Sequence, residues 1–176
     1  TEQEKQSLKG SADFLALNYY TSRYVQPIEQ YPEEHTWESD AGIVQSVDPS
    51  WPKAKSSFLY SVPNGLHDLL VFIKDNYNNP TVLITENGWS DSGELEDDDR
   101  ITYVREHLSA ISRAINNGCN VKAYTVWSII DNFEWLAGYT ECFGIYHINF
   151  TSATKERTPK KSSYYMSNVV SSRKFK

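Results

Sequence analysis

Glu86 follows Val82-Leu83-Ile84-Thr85, an apolar run that reads as a buried strand, so its carboxylate emerges at the strand's end instead of on a solvated face. A carboxylate held there is a candidate nucleophile or proton carrier; the competing account is a glutamate that caps or pairs. Two further groups of polar and aromatic residues also stand at the ends of apolar runs. Asn18 and Tyr20 close the run from Phe14 to Tyr19, and Trp127 opens Trp127-Ser128-Ile129-Ile130-Asp131-Asn132-Phe133-Glu134-Trp135. A tyrosine hydroxyl that donates to a carboxylate favours the ionised form a nucleophile needs. Sugar hydroxyls call for charge-assisted, bidentate acceptors, and Glu134 offers two oxygens beside the indole N–H of Trp135. Flat, polar-tipped rings also stack on the C–H faces of a sugar. Core aromatics at a strand end, and loop anchors at Asn18 and Tyr20, are the plainer alternatives.

The elements that must position these groups follow from periodicity. The run from Phe14 to Tyr19 reads as a strand buried on both faces, its far end opening on a site. From Tyr24 to Tyr60 the chain is rich in Pro, Ser, Asp, Glu and Trp without periodicity, and so long a loop is usually functional or supported by parts elsewhere. Pro63 suits a helix's first turn, and Leu66, Leu69, Leu70, Ile73 and Tyr77 recur at helical spacing before a stop at Asn78-Asn79-Pro80. The acidic stretch Glu94 to Asp99 fits a solvated loop and helix N-terminus better than a metal site. Ile101, Val104, Leu108, Ile111 and Ile115 form one stripe of an amphipathic helix ending at Asn117-Gly118. Val121 to Trp127 is a third strand, and Tyr164, Tyr165, Val169 and Val170 suggest a closing helix before a basic tail. Strands alternating with helices predict an α/β fold with a parallel sheet, whose ligands bind at the C-terminal strand ends. Asn18, Tyr20, Glu86 and the Trp127–Trp135 segment all fall there.

The 176 residues carry 17 Lys and Arg against 23 Asp and Glu, and the net charge of −6 argues against a nucleic-acid partner. Aromatics reach 14%, with 12 Tyr and 5 Trp, which suits a sugar site or an aromatic-rich core, a choice that their positions must decide. Cys119 and Cys142 lack metal-ligand spacing; buried thiols and a single bridge both stay open. No apolar run approaches the roughly 18 residues of a membrane helix. The stretch Thr1 to Phe14 has no signal-peptide apolar region and reads as the middle of a longer chain. Asn149-Phe150-Thr151 is a glycosylation acceptor compatible with secretion.

Thr85-Glu86-Asn87-Gly88 matches the nucleophile motif of family 1 glycoside hydrolases, Asp13 to Ser22 resembles that family's sixth barrel strand, and Trp127 to Trp135 resembles the end of its eighth. The three motifs come in the family's order and at similar spacing, and the resemblance runs from about Gly10 to about Val170, nearest to insect β-glucosidases and insect myrosinases. It implies the C-terminal portion, about strands six to eight, of a single (β/α)8 barrel. It also implies a retaining β-glycosidase acting on a β-glucoside or oligosaccharide. Glu86 would be the nucleophile, Tyr20 its hydrogen-bonding partner, Asn18 a neighbour of the catalytic groups, and Trp127 the floor under the sugar. Glu134 and Trp135 would bind the far hydroxyls and Phe143 would complete the wall. The chemistry is carboxylate attack and proton transfer, so no metal or organic cofactor is implied. The resemblance also implies an extracellular, digestive setting.

Retention needs a second carboxyl about 5 to 5.5 Å from the first. The family's acid/base glutamate lies in an Asn-Glu-Pro motif, which occurs nowhere in the 176 residues, and the Gln-His-Trp groups of the first barrel strands are absent with it. Since such barrels need roughly 250 residues, the chain is expected to work only with the N-terminal half of the barrel, and alone to be inactive and prone to aggregate through open sheet edges. The alternatives are a non-catalytic, receptor-like descendant that keeps the sugar platform and a myrosinase-type thioglucosidase. Arg23, on the expected aglycone side, could pair with an anionic aglycone, or be a structurally paired arginine. Glu134 would repel a 6-phosphate, and Gly138-Tyr139-Thr140-Glu141 offers no basic cluster to hold one, which leaves glucosides, fucosides and galactosides.

Overall fold

The structure, a computed structural model, describes residues 1–28 and 36–175, with the backbone alone for Trp37 and Glu38. In chain order the elements are α1 (Glu2–Leu8), β1 (Leu15–Asn18), β2 (Tyr24–Pro27), α2 (Trp37–Asp40), β3 (Ile43–Ser46), α3 (Pro63–Asn76), β4 (Val82–Asn87), α4 (Asp98–Asn116) and β5 (Val121–Val126). A single 3-10 turn (Trp135–Ala137), β6 (Tyr146–Ile148), β7 (Arg157–Pro159) and α5 (Lys161–Ser172) complete the chain. The central sheet has the order β1-β4-β5 and is parallel throughout, with Leu15 opposite Val82, Asn18 opposite Glu86 and Asn87 opposite Val126.

β4 is buried because it is the middle strand and its Val82 and Ile84 face α3 and α4. There Leu66, Leu70, Ile73, Ile111 and Ala114 close over them in one apolar cluster. Full burial of each large aliphatic chain contributes roughly 1.5–3 kcal/mol. A second cluster, Leu59, Trp89, Tyr103, Val104, Val126, Phe143 and Ile145, lies beyond the C-terminal ends of β4 and β5. The sheet is thus cored on one face, and its rim is cored by aromatics.

Several expectations from periodicity change. The run Phe14 to Tyr19 is not buried on both faces: Phe14 and Leu15 are exposed, because β1 is an outer strand and the helices cover one face of the sheet. Tyr77 caps α3 instead of joining its core stripe and lies exposed against Phe72. Along α4, Ile115 is exposed and the buried face is Arg100, Tyr103, Val104, His107, Ala110, Ile111 and Ala114. The apolar stripe finds Val104 and Ile111 but misses Arg100, Tyr103 and His107, which enter that face through hydrogen bonds. The stretch Tyr24 to Tyr60, expected to be irregular, contains the antiparallel pair β2–β3, whose exposed strands carry little alternation; its residues 29–35 lie outside the described residues. Cys119 and Cys142 are both buried free thiols.

A buried charged cluster ties the rim together. The Arg100 guanidinium pairs with Asp91 and with Asp97 at 2.8 Å, and also donates to the carbonyls of Trp89, Phe143 and Cys142. Lys160 reaches Asp91 at 3.0 Å and Asp131 at 3.5 Å, and Asp131 accepts from the Gly144 amide at 2.9 Å. The segments that follow β4 and β5 and the start of α5 are thereby held together by charges almost wholly withdrawn from solvent.

Candidate active site

Glu86 stands near the end of β4 between its two neighbours. Its carbonyl accepts from the Tyr19 amide at 2.9 Å, and the next residue's carbonyl accepts from the Trp127 amide at 2.8 Å. These bonds set the ends of β1 and β5 on either side of the carboxylate. Gly88 permits the approach on the β5 side, since a Cβ there would collide with the Trp127 carbonyl. A cis peptide bond joins Trp127 to Ser128. The segment beyond it zips to a later one: Ser128 donates to the Phe143 carbonyl and Ile145 to that of Ser128, each at 2.9 Å. Gly144 fits because a Cβ there would strike the Asp131 backbone. Phe143 is carried to the site this way, with its ring edge-on to Tyr20 at 6.1 Å between centroids.

Asn18, Tyr20, Glu86, Trp127, Glu134, Trp135 and Phe143 line one open cleft of about 610 Å³ together with Phe58, Asn132 and Phe133. The Tyr20 hydroxyl donates to Glu86 Oε2 at 2.8 Å. Burial, and then the bond to Glu86, push that phenol well above its ordinary range, so it remains a donor. Asn18 Oδ1 accepts from Thr85 at 2.6 Å, which orients the amide beside Glu86. Burial raises the Glu134 carboxyl, with Glu141 and Glu86 adding like-charge repulsion, while a bond from the Trp127 side chain pulls the other way. The indole bound to Glu134 is therefore that of Trp127; Trp135 stands out from the rim at 83% exposure.

Arg23 does not line this cleft and stands instead beside a neighbouring hollow with Ser22, Tyr24 and Trp51. Its guanidinium is committed to Thr21 at 3.0 Å, to the carbonyls of Ser22 and Phe58, and to the Tyr60 ring face. It tethers the Phe58 backbone and so acts on the cleft wall at one remove. Asn149 lies exposed on the turn after β6, its side-chain oxygen accepting from the Thr151 hydroxyl at 2.8 Å. Phe58 went unread in the sequence because it sits in an aperiodic stretch; Asn132 and Phe133 lay inside a quoted motif, and alternation beyond the strand end gave no sign of which of its residues turn inward.

Parallel strands backed by helices, with a carboxylate, a phenol and indoles converging at their C-terminal ends, define an α/β barrel scaffold with its site at the customary rim. The sequence model of glycosyl hydrolase family 1 matches residues 1–175, and this chain belongs to that family. Myrosinase 1 of Brevicoryne brassicae is 44% identical over 176 residues, covering 99% of this chain and 38% of that protein. The solved aphid myrosinase superposes with a TM-score of 0.87 at 43% identity, over 97% of this chain and 37% of its own. A β-glucosidase from the fungus Humicola insolens, solved in complex with glucose, gives 0.87 at 32% identity over 98% and 38%. The chain thus spans under two fifths of each of these relatives, and its fold is the C-terminal portion of their (β/α)8 barrel.

Proposed function

We propose that this chain forms part of a single (β/α)8 barrel and supplies the nucleophile side of a retaining β-glycosidase of the β-glucosidase type. The observation that carries this reading is the Tyr20–Glu86 hydrogen bond at 2.8 Å, inside a cleft that also presents Trp127 and Glu134. In the first step a Glu86 oxygen attacks the anomeric carbon. The bond to the aglycone oxygen breaks, and that oxygen takes a proton from a second carboxylic acid. In the second step water attacks the glycosyl-enzyme, Glu86 leaves as a carboxylate, and the second group takes the water's proton. That second group comes from the rest of the barrel, whose strands would pair along the free edges of β1 and β5. Tyr20 donates throughout, which keeps the attacking oxygen aimed and its charge dispersed. Trp127 lies under the ring, while Glu134 accepts from the distal hydroxyls as a carboxylate. Secretion, with a glycan on the exposed Asn149, belongs to the same proposal.

Incubating the full-length enzyme with a 2-fluoro β-glucoside that carries a good leaving group, so that both steps are slowed but the first still proceeds, should leave one sugar on the peptide that contains Glu86. A label on any other residue would overturn the assignment. Glu134→Ser should lower kcat/KM for glucosides about 10- to 100-fold, the cost of one or two charge-assisted hydrogen bonds; unchanged kinetics would remove Glu134 from the sugar's contacts.

The likeness to an aphid myrosinase favours one second reading, a thioglucosidase. Parallel assays with a glucosinolate and an O-glucoside separate the two by which substrate turns over. In either case Arg23 serves this reading as a structural tether, its guanidinium being engaged by the carbonyls of Ser22 and Phe58.

A further inference from the structure

Asn87, next in the chain to Glu86, is fully buried, and its neighbours force the orientation of its amide. Nδ2 donates to the Tyr19 carbonyl at 2.8 Å and to the Tyr103 phenol oxygen at 3.0 Å, while Oδ1 accepts from the Tyr124 hydroxyl at 2.9 Å. A flipped amide would set its oxygen against the Tyr19 carbonyl, so only this arrangement satisfies all three. Having accepted from Asn87, the Tyr103 phenol directs its one proton to the Tyr20 carbonyl at 2.7 Å. A continuous chain of hydrogen bonds thus runs from β5, through the residue beside Glu86, to the backbone of the residue whose side chain touches Glu86.

Tyr103 is itself held firmly. It is 1% exposed, and the His107 ring lies against its own at 3.9 Å between centroids, with Nδ1 bonded to the Tyr103 carbonyl at 2.8 Å. Burial pushes His107 down to about 4, so no charge sits beside the phenol in the neutral range. Burial also raises the Tyr103 phenol far above its ordinary value, which keeps the donating proton in place.

We propose that Tyr103 is a positioning residue for the Tyr20–Glu86 pair, tying the chain beyond β1 to the residue after Glu86 and so setting the reach from phenol to carboxylate. The pairing of β1 with β4 becomes irregular between Leu17 and Asn18, and its closing bond is the one from the Tyr19 amide to the Glu86 carbonyl. One residue further on, the Tyr20 carbonyl is held by Tyr103. The inference rests on Glu86 being the nucleophile. The Tyr20 hydroxyl touches Glu86 from β4, and the other titratable groups near enough to act on it through charge are Glu134 from the segment after β5 and Tyr124 from β5. Displacing Tyr20 therefore changes the balance of charge at the carboxylates as well as their geometry.

The test compares Tyr103→Phe, Tyr20→Phe, the double variant, Tyr124→Phe and Glu86→Gln in the full-length enzyme. Kinetics are recorded against pH and thermal unfolding is measured alongside. Tyr103→Phe should lower kcat/KM about tenfold, as expected of a sub-ångström misplacement of a reacting group, and should move the acid limb of its pH profile upward. The double variant should be no worse than Tyr20→Phe alone, because both losses act through one contact. Tyr124→Phe takes a hydroxyl from the same amide yet leaves the bond from Tyr103 to Tyr20, and its acid limb should stay in place. An unmoved pH profile in Tyr103→Phe would overturn the proposal, as would an effect that multiplies with Tyr20→Phe or an equal shift in Tyr124→Phe. Near-normal turnover by Glu86→Gln would instead overturn the nucleophile reading itself, and that result is visible independently of the other variants.

Discussion

Glu86→Gln in the full-length enzyme should lower kcat on the order of 10⁴-fold or more while leaving the protein folded, as expected when a covalent nucleophile is removed. The substitution keeps the shape of the side chain, and its amide oxygen can still accept from the Tyr20 hydroxyl, so the packing among Tyr20, Trp127 and Phe143 has no reason to change. On the proposed reading, what is lost is the negative charge that would attack the anomeric carbon. Unaltered circular dichroism and melting, together with a collapsed rate, would mark a chemical defect. A variant that turned over nearly as fast as the parent would end the case for Glu86.

The second large effect concerns stability. Arg100→Met should destabilise the full-length enzyme by about 3–5 kcal/mol, the usual cost of stranding the partners of a buried charge. Asp97 and Asp91 would each lose a cation, and the carbonyls of Trp89, Phe143 and Cys142 would lose a donor. Lys160 alone cannot replace these, because it reaches Asp91 and Asp131 but makes no bond to Asp97. The size of the penalty reflects the orphaned groups and says nothing of whether an all-apolar cluster would be more stable. Lys161→Met, which breaks solvent-exposed pairs with Asp98 and Glu96, provides the contrast and should leave the denaturation midpoint almost where it was. Equal losses in the two denaturation curves would contradict the buried role.

What could be read from the sequence divides along a physical line. Glu86, Tyr20 and Trp127 were legible because they end short apolar runs, and in a parallel sheet the end of a strand is a definite place. α3 and α4 were legible from spacing in their existence and approximate limits, yet the buried face of α4 was misjudged. Arg100, Tyr103 and His107 go inside because hydrogen bonds and ion pairs offset their desolvation, and those partners come from distant segments that no local pattern announces. Phe58 was illegible for a related reason: a loop residue faces the cleft because Arg23 and the main-chain bonds from Ala54 to Leu59 and from Ser61 to Pro52 hold the loop there. The outer strand β1 looked doubly buried because its composition is that of a barrel strand, and composition cannot say how many neighbours a strand has.

The cleft is made of two materials. Glu86, Tyr20 and Trp127 are bolted to strand ends by main-chain bonds and, at Trp127, by a glycine contact that tolerates no added atom, whereas Phe58 and Phe133 hang from irregular segments and are exposed. Random variation would therefore find the first group almost unalterable and the second nearly free. On the proposed glycosidase reading, a laboratory lineage selected on new leaving groups should gather its changes on those pendant aromatics, retuning what is accepted without touching how the bond is broken.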